Sequence, residues 1–199
     1  MPNMPRPEDI MRHHDADPDE APWVKGKPAP ENVAVVPYDA GWPTRYAELA
    51  VAIQGVMGAS AMQVEHVGST AVPSLPAKPI IDIDLIVADP TREDDYVPAL
   101  ESLGYDLIIR EPSWHQHRCL RLAAPRVNLH VFGPDCPEVI RHVMFRDWLR
   151  EHDDDRQRYA AVKYASAEGM DDVMEYNRRK EPVIRDLYAR VFRAAGWIR

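Results

Sequence analysis

Glu65-His66-Val67-Gly68-Ser69, twelve further residues, then Asp82-Ile83-Asp84-Leu85 is the stretch that decides how this chain is read. Before the glycine, Met62, Val64 and His66 alternate with Gln63, Glu65 and Val67, the period of a β-strand. The strand runs into Gly68-Ser69-Thr70 and a loop punctuated by Pro73, Pro76 and Pro79. Residues 80–87 then form a second, strongly β-prone run. Side chains two apart on a strand share a face, so Asp82 and Asp84 point the same way, with Cα atoms roughly 6.5 Å apart. Two carboxylates at that spacing suit a divalent cation, and Mg²⁺ takes few protein oxygens when substrate phosphates supply the rest. Gly68 and Ser69 offer backbone N–H groups and a hydroxyl to a phosphate. Charge in an apolar strand demands a positive partner, and Lys78, in the preceding loop, either neutralises the two aspartates or a phosphate or is an ordinary solvated loop lysine.

Working outward, the spacing of Tyr46, Leu49, Ile53, Val56 and Met57 predicts an amphipathic helix over 43–58. Val33, Val35 and Val36 predict a short extended entry before it. Downstream, a helix is expected over 91–103, then strands over 105–110, 117–122 and 126–132. Asp135 is expected to cap a helix over 137–151, followed by helices over 154–168 and 171–195, the last broken or restarted at Pro182. The order α-β-β-α-β-β-β-α-α-α predicts a small mixed sheet with helices on one side and a helical C-terminal part from about residue 152. Seven of the nineteen prolines fall in residues 1–30, which carry few recurring apolar residues, so 1–30 is expected to be a mobile or surface-draped arm and 31–199 the domain.

Composition narrows the function. The chain has 199 residues, 32 acids and 24 bases, a net charge of −8, which excludes the basic footprint of a duplex nucleic-acid binder. No apolar run approaches the length of a membrane span. No signal-peptide pattern stands at the start, and Cys119 and Cys136 form no disulfide framework, so a reducing cytoplasm is the expected location. The sequence holds no Ser-His-Asp order, P-loop, GxGxxG or Cys/His zinc spacing.

Gly-Ser, about a dozen residues, then D-h-D-h resembles the signature of the nucleotidyltransferase superfamily. The wider segment, Glu65 to Pro73 with Lys78-Pro79-Ile80-Ile81-Asp82-Ile83-Asp84, is similar to the GrpB family, whose reaction is poorly defined and whose relatives also occur fused behind dephospho-CoA kinase. Val36-Pro37-Tyr38 with Trp42, Asn128 to Val131, Phe145-Arg146-Asp147, Leu149-Arg150, Tyr159 and Lys163 extend the likeness over roughly 33–195. The resemblance implies an α/β (α+β), nucleotidyltransferase-like mixed sheet with flanking helices. It implies metal-dependent binding of a nucleotide or other phosphate-bearing small molecule, with nucleotidyl transfer to a small acceptor as the superfamily's reaction. Mg or Mn is the expected metal, with Zn as an alternative.

One departure bears on that reaction. Active polymerising members usually carry a third acid on a later strand, but the polar face of 126–132 presents Asn128 and His130. A neutral imidazole also ligates metals, so Asp82, Asp84 and His130 stand as the expected ligands, with Mn²⁺, Zn²⁺ or Fe favoured over Mg²⁺ by a nitrogen donor. The same departure motivates a second reading: a non-catalytic module for a nucleotide or CoA-type ligand. A metal-dependent hydrolase on the same scaffold is a third.

Other candidates compete with structural roles. Arg110, Arg118, Arg121 and Arg126, with Trp114, His115 and His117 interleaved, form either a phosphate and stacking platform or a solvated hairpin. Arg118 is expected to join Lys78 in balancing ligand charge. His66 reads as a satisfied, partly buried histidine, and Glu65 as a partner for a base. Tyr159/Lys163 and Tyr176/Lys180 repeat a Tyr-x3-Lys spacing that either closes over a nucleotide or packs helices together.

Overall fold

A computed structural model describes residues 4–14, 17–27, 33–170 and 172–199. Five strands, β1 (Gln63–Val67), β2 (Ile81–Ile86), β3 (Asp106–Glu111), β4 (His117–Leu122) and β5 (Val127–Phe132), form one sheet in the order β1-β2-β5-β4-β3. Only the central β2/β5 pair is parallel; the other neighbours are antiparallel. The expected fold class, a mixed α+β sheet with flanking helices, is the one observed.

Strand alternation gives the sheet two different faces. Ile81, Ile83, Leu85, Val127, Leu129 and Val131 point to one of them and pack against Trp42, Ile53 and Met57 of α2 (Trp42–Met57) and Leu100 of α3 (Val97–Glu101). On the other, Asp82 lies beside Asn128 and Asp84 beside His130 in the parallel register. This second face is covered as well. Val139 of α4 (Pro137–Glu151) packs with Ile86, Phe132 and Cys136, and His142 on the same helix reaches Asp84. The helices therefore lie on both sides of the sheet and not on one, because a buried face carrying carboxylates needs a cover that brings polar partners. α5 (Asp153–Ala167) and α6 (Val173–Ala194) complete that layer, with Tyr159 and Leu187 burying Val72 and Leu75 of the loop after β1.

Several local expectations are corrected. The helix predicted over 91–103 is confined to Val97–Glu101 after a 3-10 turn at Glu93–Asp95. Pro98 stands in the first turn of this helix, where its missing N–H costs no intrahelical bond. The N-cap of α4 is Cys136, with no side-chain cap, and not Asp135. α6 runs unbroken past Pro182, which is exposed, so the missing N–H falls on the solvent side. Residue 171, the expected first residue of that helix, lies outside the described residues; Asp172 caps α6 by accepting from Met174 N and Glu175 N. The extended entry at 33–36 makes one bridge, Val36 to Ala77.

Of the arm expected over 1–30, residues 1–3, 15–16 and 28–30 lie outside the described residues. Its other residues lie against the domain. Ile10 of α1 (Pro7–Met11) is buried with Tyr188, Val191 and Phe192, and Arg141 donates to the carbonyls of Ile10 and Arg12. Pro22 O accepts from Arg110 N and Val24 N donates to Ile108 O, so the arm covers the open edge at β3. Among the described residues, no helix is long and apolar enough to cross a membrane.

Candidate functional site

The site begins at the turn after β1. Gly68 has φ 67° and ψ −170°, a region essentially restricted to glycine. A methyl group at Gly68 would stand 2.5 Å from Asp82 Oδ2 and 3.0 Å from Asp82 Cβ, so the backbone passes against the carboxylate only because the side chain is absent. Ser69–Ala71 follow as a 3-10 turn. α4 splints this turn: Arg150 Nε and Nη2 donate to Ala71 O at 3.0 and 2.8 Å, and Arg146 Nη1 donates to His66 O and Glu65 Oε2, both at 2.9 Å. Glu65 thus has the basic partner expected of it. His66 is buried, stacked on Tyr46 and hydrogen-bonded to Thr70 Oγ1 at 3.1 Å; burial, then Arg150 and Arg146, lower its pKa to about 4. It is a neutral structural histidine.

Asp82 accepts from Asn128 Nδ2 at 3.0 Å, and His130 Nε2 stands 4.0 Å from Asp82 Oδ1. Asp84 is wholly buried; its Oδ2 meets His142 Nδ1 at 2.8 Å, while its Oδ1 has no hydrogen-bond partner. Burial opposes charge on His142, but the Asp84 carboxylate, by charge and hydrogen bond, outweighs it and raises the His142 pKa to about 9. The two expected ligands Asp82 and Asp84 and the third, His130, share one face, but they are not gathered around one point. Among the described residues, no group of three or more His, Cys, Asp or Glu is so arranged.

Beside Asp82 opens a pocket of about 200 Å³, lined by Ser69, Thr70, Lys78, Asp82, Asn128, Tyr176, Lys163 and Lys180, among others. Three lysines and one carboxylate therefore face a single small cavity. Lys163 Nζ lies 5.3 Å from the Tyr159 ring centroid, and Lys180 Nζ 4.2 Å and Lys78 Nζ 5.4 Å from that of Tyr176. Burial, then the neighbouring lysine Lys180, pushes Lys163 well below the ordinary lysine range, and burial, then Lys78, lowers Lys180 to about 8. Such groups gain by receiving an anion.

Ser69, Lys78 and Asp82 thus line one cavity, with Gly68 and His130 adjoining Asp82, whereas Asp84 is buried against His142. Arg118 stands apart from them. It projects from the opposite face of β4, level with Val131, and donates to Glu93 Oε1 at 2.6 Å and to Gln116 O at 2.8 Å. Glu93 also takes Arg110, so the local basic surplus is answered by an acid distant in sequence. An Arg118→Ala variant is expected to lose about 1–3 kcal/mol of stability with its buried charged hydrogen bonds. Ligand affinity at the lysine pocket is expected to stay within about two-fold, because the sites are independent; thermal unfolding and a phosphate titration check the two parts. Cys119 is buried and its thiol is pushed up to about 12 by burial, then by Asp82; it packs as an apolar residue.

Sequence reasoning missed His142 altogether and left Lys163 and Lys180 between closing over a nucleotide and packing helices. The available signal was His142, Arg146 and Arg150 at intervals of four, three basic residues on the stripe that faces the turn and the aspartate strand.

The fold and cleft define an α+β protein whose glycine turn, aspartate strand and basic helical layer meet at one small cavity. The GrpB protein family model matches residues 32–190, and the chain belongs to the GrpB family. It is 44% identical over 165 residues to a UPF0157 protein of Halalkalibacterium halodurans, covering 82% of this chain and 85% of that one. It is also 30% identical over 196 residues to a dephospho-CoA kinase of Mycolicibacterium paratuberculosis, covering 83% of this chain but 48% of that protein. The crystal structure of the conserved protein GrpB from Enterococcus faecalis superposes with a TM-score of 0.73 at 29% identity, covering 81% of this chain and 99% of that one.

Proposed function

We propose that this protein binds a phosphate-bearing small molecule of the nucleotide type, with its phosphate in the pocket of Ser69, Thr70, Lys78, Lys163 and Lys180. The observation that carries the reading is the convergence of three lysines, two of them buried and depressed in pKa, on a cavity with one carboxylate. Unpaired buried ammonium groups are costly, and an incoming dianion relieves that cost while the turn at Ser69 supplies hydroxyl and N–H donors. Net charge −8 disfavours a polyanionic partner; a small ligand satisfies the local lysines without meeting the acidic surface.

The orphaned Oδ1 of Asp84, beside Asp82, fits a divalent cation accompanying that phosphate. Asp82 and Asp84 would hold it, with His130 adjacent. Such a cation supplies charge neutralisation and polarisation of a phosphoryl oxygen. The chain's own groups position the phosphate and exclude water from it, and nucleotidyl transfer to a small acceptor is the enzymatic form of this proposal. A non-catalytic binding module is the second reading, favoured by Asn128 and His130 standing on β5 where a third carboxylate is expected. Two free, buried cysteines accord with action in a reducing cytoplasm.

Titrating the protein with inorganic phosphate, pyrophosphate, CoA and each nucleoside triphosphate, with and without Mg²⁺ or Mn²⁺, tests the proposal by thermal shift and calorimetry. Binding that is lost in Lys163→Met is expected; no shift with any anion would sink it. Because Lys180 has a pKa of about 8 in the free protein, affinity for phosphate is expected to fall as pH rises above that value. Release of pyrophosphate from a bound triphosphate separates the enzyme from the module.

A further inference from the structure

The sheet has two edges, and they are covered by different means. At β1 the domain's own side chains reach the strand: Tyr46 Oη donates to Val64 O and Arg146 Nη1 to His66 O, both at 2.9 Å. At β3 the cover is the arm. Trp23 bridges Ile109, flanked by two hydrogen bonds, Arg110 N to Pro22 O at 2.9 Å and Val24 N to Ile108 O at 3.0 Å. Beyond that pair the hold is slight. Pro22 has no N–H with which to extend the ladder. Lys25 meets Asp106 at 2.6 Å, but both side chains are largely exposed, and such pairs contribute little. Glu20 accepts from Ser113 N and Oγ at the exposed turn after β3. None of the residues from 17 to 27 is buried, whereas Ile10 of the same arm is 2% exposed. The arm is anchored at α1 and only laid along β3.

The edge beneath that segment is complementary to itself. The groups that the arm engages are one donor, Arg110 N, and one acceptor, Ile108 O, standing on either side of Ile109. A second copy related by a two-fold axis at Ile109 would bring its Ile108 O to the place of Pro22 O and its Arg110 N to the place of Val24 N. Both hydrogen bonds are then made again, by the same two atoms of each copy. In that register Ile108 lies opposite Arg110 and Leu107 opposite Glu111, so no like charges face each other.

We propose that the β3 edge is a pairing site for a second copy of this chain, two-fold about Ile109, and that residues 17–27 occupy it in the single chain. Displacing them joins the two sheets, β3 to β3, into one continuous antiparallel-paired sheet. The arm competes from within the same molecule, at an effective concentration of about 1 mM, so it holds the chain as a monomer at micromolar concentration. The contact is one short strand edge, which makes the dimer weak and concentration-dependent.

Sedimentation equilibrium of the full chain, loaded up to about 1 mM, is the test. Val24→Pro removes the donor to Ile108 O, and Lys25→Glu sets a like charge against Asp106; both residues are exposed, so the domain beneath is left as it is. The double variant is expected to dimerise at least about 10-fold more tightly than the wild type. Adding Ile109→Lys sets two ammonium groups against each other at the axis and is expected to restore the monomer. A cross-link checks the register without depending on that variant. Ile109→Cys in the double variant is expected to form a disulfide between copies, because the Cα atoms of such a pair stand about 4.5 Å apart. Asp106→Cys is expected to form none, since its two copies would lie about 20 Å apart along the strands. A double variant that stays monomeric at every concentration overturns the proposal. So does a dimer that survives Ile109→Lys, or one that cross-links as readily through residue 106, since either places the contact elsewhere.

Discussion

A Lys180→Met variant is expected to be more stable than the wild-type protein and unable to bind phosphate. Lys180 is buried, and its pKa stands at about 8 against an ordinary 10.5. A base whose folded pKa is depressed opposes folding wherever it is charged. The penalty is complete below about pH 8 and disappears as pH rises through the unfolded value of 10.5. At about 1.4 kcal/mol per unit the penalty is about 3.5 kcal/mol at neutral pH. Loss of the contact with the Tyr176 ring offsets about 1 kcal/mol of the gain. Methionine fills the space without charge, so the net gain is about 2.5 kcal/mol, a rise in Tm of roughly 5–10 °C for a chain of this size. Unfolding curves from pH 7 to 10.5 are expected to converge for the two proteins, and calorimetry with phosphate to show binding only for the wild type. A lower Tm for the variant at pH 7 would mean that the ammonium already has a stabilising partner.

Gly68→Ala is expected to act in the opposite direction on stability and the same direction on binding. The backbone angles there cost a non-glycine residue about 1–3 kcal/mol. The added methyl also meets Asp82 Oδ2 and Cβ, which pushes the carboxylate away from Asn128 Nδ2. A loss of about 3 kcal/mol, with cation and phosphate binding both abolished, is the expected result of thermal and calorimetric measurements. Gly55, inside α2 with nothing within 4 Å of an added Cβ, is the matched control. Gly55→Ala is expected to stabilise by about 0.5–1 kcal/mol and to leave binding intact. Equal effects at the two positions would show that the approach to Asp82 has no special role.

The parts of the site that could be read from the sequence are those where neighbours in the chain are neighbours in space. The alternation at 63–67 and 81–86 set both strands, and the faces of Asp82, Asp84, Asn128 and His130 followed from a period of two. Gly68, Ser69 and Lys78 lie on the same continuous segment. The rest depended on packing between distant elements. Tyr-x3-Lys tells that Lys163 and Lys180 each share a helix face with a tyrosine, but only the docking of α5 and α6 aims both at one cavity. Arg118 failed for the converse reason: the acid that neutralises it, Glu93, arrives from a turn twenty-five residues away. Pro182 was misjudged because local propensity does not reveal which side of a helix faces water.

α4 has a consequence of its own. His142, Arg146 and Arg150 stand four apart on one helix; the first grips the aspartate strand and the other two grip the backbone around the glycine turn. Eight residues of α-helix span about 12 Å and resist stretching, since every turn is cross-bonded. The spacing between the aspartate strand and the glycine turn is therefore set by a rod and not by a loop. A strand and a turn tied to the same rod cannot drift apart independently, so the turn keeps its place beside Asp82 whenever the helix keeps its own.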